Sequence, residues 1–135
     1  MKGGISEKTA QAVRAFRDER DWKRFHNPKD LAISVSLEAS ELLELFQWSG
    51  GAVDVPEKRG RMAEELADVL IYALLFADAA GIDADEAVRE KLRLNAARYP
   101  AELARGSSAK YTELKRRARA SALRADLHED KAGED

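Results

Sequence analysis

Ser36-Leu37-Glu38-Ala39-Ser40-Glu41-Leu42-Leu43-Glu44-Leu45-Phe46 is the stretch that decides the fold of this chain. Glu38 and Glu41 are three residues apart, which makes them neighbours on a helix surface. Glu38 also lies seven residues from Leu31 and from Leu45, so it shares their stripe, and that stripe should face the core. A lone buried charge is very costly, so carboxylates in such a place need a compensating partner. Glu44 sits at the edge of the stripe and reads as a solvent or salt-bridge residue.

The arrangement recurs in Ala63-Glu64-Glu65-Leu66-Ala67-Asp68-Val69-Leu70-Ile71-Tyr72. Glu65 and Asp68 are again three apart, while Glu64 points roughly 100° away from Glu65. Asp68 is followed by Val-Leu-Ile-Tyr-Ala-Leu-Leu-Phe, so this helix is expected to be covered on most sides. If the two helices pack antiparallel, the two acidic pairs meet. Converging carboxylates raise one another's pKa values. They are then neutralised by arginines, for which Arg59 and Arg61 are nearby in sequence, or they hold hard divalent cations. All-oxygen ligands suit Mg²⁺ or Mn²⁺. A di-iron bundle needs Glu-x-x-His pairs, and neither His26 nor His128 follows a glutamate by three. Transfer or hydrolysis of a phosphate ester is the chemistry an all-carboxylate site supports best.

Outward from these two motifs the chain reads as all-α. A first helix is expected over about Glu7–Glu19, N-capped by Ser6. A loop over Arg20–His26 holds Trp22 and Phe25. Asn27-Pro28 reads as an N-cap followed by proline at the first helical position, opening a second helix that runs to about Trp48 and ends at Ser49-Gly50-Gly51. Asp54-Val55-Pro56 opens a third helix, which stops at Gly81. Asp83 caps a fourth, running to about Arg98 and broken by Tyr99-Pro100. Arg105-Gly106-Ser107-Ser108 is loop-like. Residues 1–112 form the expected domain. Residues 113–135 form a charged tail, helical or disordered, basic over Lys110–Arg124 and acidic over Asp126–Asp135.

Composition narrows the function classes. The 135 residues suit a single domain. There is no cysteine, which removes thiol nucleophiles, thiolate metal sites and a disulfide scaffold, and fits a cytoplasmic setting. The net charge of −2 gives no global basic field for nucleic acid. Met1-Lys2-Gly3-Gly4-Ile5-Ser6 has no apolar stretch behind its charge and is not expected to act as a signal peptide. Leu66–Ile82 is the most apolar run, but Asp68 and Asp78 interrupt it, and no membrane span is expected.

Five of the nine aromatic residues flank the second helix: Phe16, Trp22, Phe25, Phe46 and Trp48. Flat rings beside a metal–phosphate site are what a nucleobase needs, since each stacking contact contributes about 1–3 kcal/mol. Phe16, Phe25 and Phe46 are expected in the core. Trp22 and Trp48 sit at element ends, and His26 is placed for either capping or base contact. Lys91, Asn95 and Arg98 share one helical face, suited to phosphates or to solvent.

Asp21-Trp22 through Phe25-His26 and Pro28, then Leu37-Glu38-Ala39-Ser40-Glu41 through Phe46-Gln47-Trp48, resembles the MazG-like all-α nucleotide pyrophosphohydrolases, most of all their dCTP pyrophosphatase branch. Glu64-Glu65-Leu66-Ala67-Asp68 and Lys91 with Asn95, Arg98, Tyr99 and Pro100 fit the later motifs, and Arg105-Gly106 through Lys110-Tyr111 resembles the usual ending. The likeness covers about residues 7–112. It implies a four-helix, oligomeric enzyme that uses Mg²⁺ (or Mn²⁺) to cleave a nucleoside triphosphate, dCTP or a related dNTP, into the monophosphate and pyrophosphate. It implies Glu38, Glu41, Glu65 and Asp68 as metal ligands, with Glu38 or Glu41 acting catalytically on the attacking water. It implies Trp22, His26 and Trp48 around the base and Tyr72 as a substrate contact. Lys91, Asn95, Arg98, Tyr99, Lys110 and Tyr111 fall toward the phosphates. A homotetramer or homodimer is implied, with sites built between subunits. Val13 departs from the pattern, since relatives can place a polar or histidine side chain there. A non-catalytic helical interaction module, its acidic residues held in structural ion pairs, is the competing reading.

Overall fold

A computed structural model describes residues 4–110, 112–117 and 119–120. The described residues are helical, with no strand among them. They fall into two compact units, the first ending at Ala84 and the second beginning at Asp85.

The first unit holds three helices: α1 (Glu7–Asp18), α2 (Pro28–Glu44) and α3 (Arg59–Ala80). Ser6 caps α1, its hydroxyl accepting the Thr9 N–H at 3.2 Å. Asn27 caps α2, its Oδ1 accepting the Asp30 N–H at 2.9 Å, with Pro28 in the first turn. Gly81 ends α3 in the left-handed conformation (φ 66°) that costs glycine little. Two 3₁₀ turns, Trp22–Phe25 and Pro56–Lys58, precede α2 and α3. The expectation that α2 runs to Trp48 fails by four residues. After Glu44 the bonds tighten to i→i+3, Phe46 N–H to Leu43 C=O and Gln47 N–H to Glu44 C=O, and the chain unwinds before the glycines arrive. Likewise α3 proper begins only at Arg59, behind its 3₁₀ turn.

The most extensive packing in this unit is α2 against α3. Lys58 Nζ donates to the Leu45 carbonyl at 2.7 Å, tying the end of α2 to the start of α3. The two helices therefore run antiparallel, as the acidic motifs require. Leu31, Leu45, Val55, Leu75 and Ala77 form the core between them. Helix α1 lies on α3 through less contact and buries only Ala10 and Arg17. Arg17 is ion-paired to Asp18 at 2.7 Å and, across the helix pair, to Asp78.

Two packing expectations are corrected. Helix α3 is not covered on most sides, since Leu66 and Leu70 stay exposed. Phe16 and Phe25 are surface residues rather than core, and Phe46 is half-buried.

The second unit holds α4 (Ala84–Arg98), α5 (Ala101–Ala104) and helical backbone over 112–117. The break at Tyr99-Pro100 is present, and the short α5 after it has no counterpart in the sequence reading. Leu114 is buried, and Arg116 and Arg117 both bond Glu113. Residues 119–120 are helical as well, while Tyr111, residue 118 and the expected tail beyond 120 lie outside the described residues.

Leu31 is 1% exposed and Val53 is 95% exposed. Leu31→Ala should cost about 2–5 kcal/mol by urea denaturation, and Val53→Ala no more than about 0.5 kcal/mol. Equal losses would contradict this core.

Candidate metal and nucleotide site

Glu38 lies on α2 six residues before its end; Glu65 and Asp68 lie on the first half of α3. The antiparallel hairpin brings carboxylate oxygens of all three within 4.8 Å of one another. Glu65 is nearly buried, at 9% exposure, and Glu38 and Asp68 are half-buried. Burial pushes the Glu38 carboxyl above the usual glutamate value, and the charges of Glu41, Asp68 and Glu65 push it the same way. Glu41, one turn further along α2, is exposed and stands outside the three-residue group while adding to its field. Glu44 and Glu64 face solvent, as their spacing predicts.

Arginine neutralisation is slight here. Arg61 reaches Glu65 at only 3.6 Å with its own side chain 64% exposed, and Arg59 is engaged by Asp54 at 2.9 Å. An exposed pair of that kind contributes little. A group of oxygen donors that remains mutually repulsive fits a hard divalent cation of the Mg²⁺ or Mn²⁺ type.

Asp68 also belongs to the lining of a cavity of about 410 Å³, running between α1 and α3. That size lies within the roughly 300–1,000 Å³ of small-molecule sites. Its walls are mostly apolar: Val13 and Phe16 from α1, Trp22 from the 3₁₀ turn, Ile71 and Tyr72 from α3. Asp21, in the left-handed conformation (φ 53°), reverses the chain after α1 and swings Trp22 back against Phe16. The two rings meet edge to face at 5.9 Å, and Arg20 lies over Phe16 at 3.6 Å.

His26 is half-buried in the same lining. Its Nδ1 is buried and has no hydrogen-bond partner among the described residues. Burial, and then the Arg17 charge, hold its pKa below the usual histidine value, so the ring stays neutral near neutral pH. A buried polar atom without a partner is uncommon and marks a place where a ligand atom can bond.

Trp22, His26 and Tyr72 thus come together with Asp68, as the sequence suggested. Trp48 does not line this cavity and is 86% exposed on the turn after α2. Lys91, Asn95, Arg98 and Tyr99 lie in the second unit, where the Asn95 carbonyl accepts the Tyr99 N–H at 2.7 Å. Arg17 was missed by sequence reading. Its place seven residues after Ala10, on one stripe, was the available signal.

Comparison with known proteins points one way. The MazG-like family matches residues 33–114. Human dCTP pyrophosphatase 1 is 46% identical over 104 residues, covering 73% of this chain and 61% of that protein. Its mouse counterpart is 43% identical over 106 residues, covering 75% and 62%. The chain therefore spans about three-fifths of the length of these relatives. A solved pyrophosphatase from Archaeoglobus fulgidus is 39% identical, with a TM-score of 0.62, covering 74% of this chain and 98% of its own.

The raised Glu38 pKa has a consequence for stability. The folded state binds this proton more tightly than the unfolded state does, so stability falls as pH rises from the usual glutamate value through the raised one. Glu38→Gln, which fixes the uncharged form, should raise Tm without divalent ions at about pH 7. The gain should vanish below about pH 3, where glutamates are protonated in both states. Thermal unfolding by circular dichroism checks this, and a gain that is the same at both pH values contradicts it.

Proposed function

The chain belongs to the MazG-like family, and from that premise we propose that it hydrolyses a nucleoside triphosphate, dCTP or a related or modified dNTP, between its α and β phosphates. One observation carries this reading. Asp68 is shared by a converging three-carboxylate group and by an aromatic cavity large enough for a base.

Glu38, Glu65 and Asp68 would hold the divalent cation, with Glu41 beside them. Mg²⁺ or Mn²⁺ held there would supply positive charge to offset that of the triphosphate and of the departing pyrophosphate. Glu41, exposed and outside the tight group, orients the attacking water and takes its proton. The water oxygen bonds to the α phosphorus as the bond to the bridging oxygen breaks, leaving a monophosphate and pyrophosphate. Trp22 and Tyr72 flank the base, and the neutral His26 offers its buried Nδ1 to a polar edge of that base. Its donors and acceptors are positioned before the substrate arrives, which lowers the ordering cost of binding. The family resemblance adds Trp48, Lys91, Asn95, Arg98 and Tyr99 to the proposed substrate set.

The exposed apolar residues support a homo-oligomer, a tetramer or dimer. Ile33 and Leu37 recur at helical spacing on α2, as do Leu66 and Leu70 on α3, and Leu43 and Trp48 add to the exposed set. Contiguous exposure of this kind marks an interaction surface, and further copies of the chain would cover it. No helix among the described residues is long and apolar enough to cross a membrane. With the absence of cysteine, this fits a cytoplasmic setting.

A panel of nucleoside triphosphates with Mg²⁺, scored for pyrophosphate against orthophosphate, tests the activity. Pyrophosphate should dominate; orthophosphate would point to another phosphatase class. Asp68→Ala and Glu38→Ala should lower turnover by at least about 10²-fold, the scale on which removing one electrostatic stabiliser acts. Retained turnover would remove the ligand assignment. Light scattering should give the mass of a dimer or tetramer, and a monomer would contradict the oligomer.

A further inference from the structure

The cavity has one feature that base recognition and metal binding leave unused, a cation in its wall. Arg17 is 3% exposed and lines the cavity beside Phe16, Trp22 and His26. Burying a guanidinium is expensive unless it is paired. Here it is paired twice, to Asp18 within α1 and to Asp78 near the end of α3. The second bond crosses between the helices that form the two cavity walls. Thr9, Val13 and Phe16 come from α1; Ile71, Tyr72 and Leu75 come from α3.

Among the described residues, no other ion pair or side-chain hydrogen bond joins α1 to α3. Helix α1 buries only Ala10 besides Arg17, and its contact with α3 is thin beside that of α2 with α3. Leu31 and Leu45 of the α2–α3 hairpin, which holds the carboxylates, are buried outside the cavity lining, while Leu75 belongs to it. Of the three clustered carboxylates, Asp68 also lines the cavity, while Glu38 and Glu65 lie outside its lining.

We propose that the Arg17–Asp78 ion pair is a positioning device of the nucleotide cavity, setting α1 against α3 so that Phe16 and Trp22 stand at base-stacking distance from Tyr72 and His26. Arg17 is a positioning residue, acting through the wall it holds and not on the reacting atoms. The charge is directional where a leucine contact would not be. Asp18 holds the guanidinium on α1, and the Asp78 carboxylate takes it across to α3, so the pair ties the two helices at one charged point. The inference rests on the cavity being the nucleotide site.

Arg17→Met, Arg17→Lys and Asp78→Asn separate this role from others. Loss of the pair should raise KM for dCTP on the order of tenfold, the effect of losing about one well-formed contact. Saturated kcat should stay within about twofold, and Mn²⁺ binding without nucleotide, read by electron paramagnetic resonance, should be unchanged. Arg17→Lys keeps the charge but not the planar fork, and should recover only part of the KM loss seen in Arg17→Met. The Arg17→Met/Asp78→Asn double variant should lose no more than either single one, because both remove the same bond. A KM unaltered in both Arg17→Met and Asp78→Asn overturns the proposal. So does a fall in kcat that tracks a fall in Mn²⁺ affinity, which would place Arg17 in the metal site. Affinity for α,β-imido dCTP, read by tryptophan fluorescence, keeps the two readings apart. If the wild type released no pyrophosphate yet Arg17→Met still weakened the analogue, the activity would be wrong and the positioning right.

Discussion

Mutual repulsion among carboxylates is the constraint on which this structure turns. Glu38, Glu65 and Asp68 are drawn together by a hairpin whose own stability comes from leucines on either side of them. The apolar frame supplies the free energy, and the acidic group costs some of it back. The Glu38 carboxyl registers that cost directly, shifted upward by burial and by the neighbouring acids. Arg61, distant and solvated, does little to relieve it. On the proposed reading, a cation bound by this group would relieve the repulsion.

Asp68 joins this electrostatic centre to a second environment of opposite character. Along the same helix, Ile71, Tyr72 and Leu75 continue into a cavity walled by α1 and by the Trp22 turn. In the proposed reading, the acidic end would take a divalent cation with its phosphates, and the cavity would take a flat, weakly polar ring. His26 supplies a hydrogen-bonding atom there, neutral because burial and Arg17 oppose its protonation. The proposed substrate class rests on this polarity gradient more than on any single residue.

Periodicity and capping chemistry made much of the fold legible. Ser6, Asn27-Pro28 and Gly81 mark helix boundaries because their backbone preferences are local. The seven-residue spacing of Glu38 from Leu31 and Leu45 placed its carboxylate on the inner face, and the matching Glu65–Asp68 pair gave its partner. What sequence left hidden depends on non-local packing. The early end of α2 is set by i→i+3 bonds after Leu43 and Glu44, not by Gly50. Phe16 and Phe25 look like core by composition but face a cavity or solvent, since α1 is too loosely applied to cover them. Arg17 reads as one more surface cation until Asp78, 61 residues away, is brought against it.

The account stands or falls on whether Glu38, Glu65 and Asp68 take up a divalent cation. Titration of Mg²⁺ or Mn²⁺ into the wild-type chain at about pH 7, followed by calorimetry beside the Asp68→Asn variant, measures this without any nucleotide. Saturable binding by the wild type, lost or greatly weakened in Asp68→Asn, is the predicted result. A wild-type chain that binds neither ion, or an Asp68→Asn variant that binds as tightly as the wild type, would contradict it.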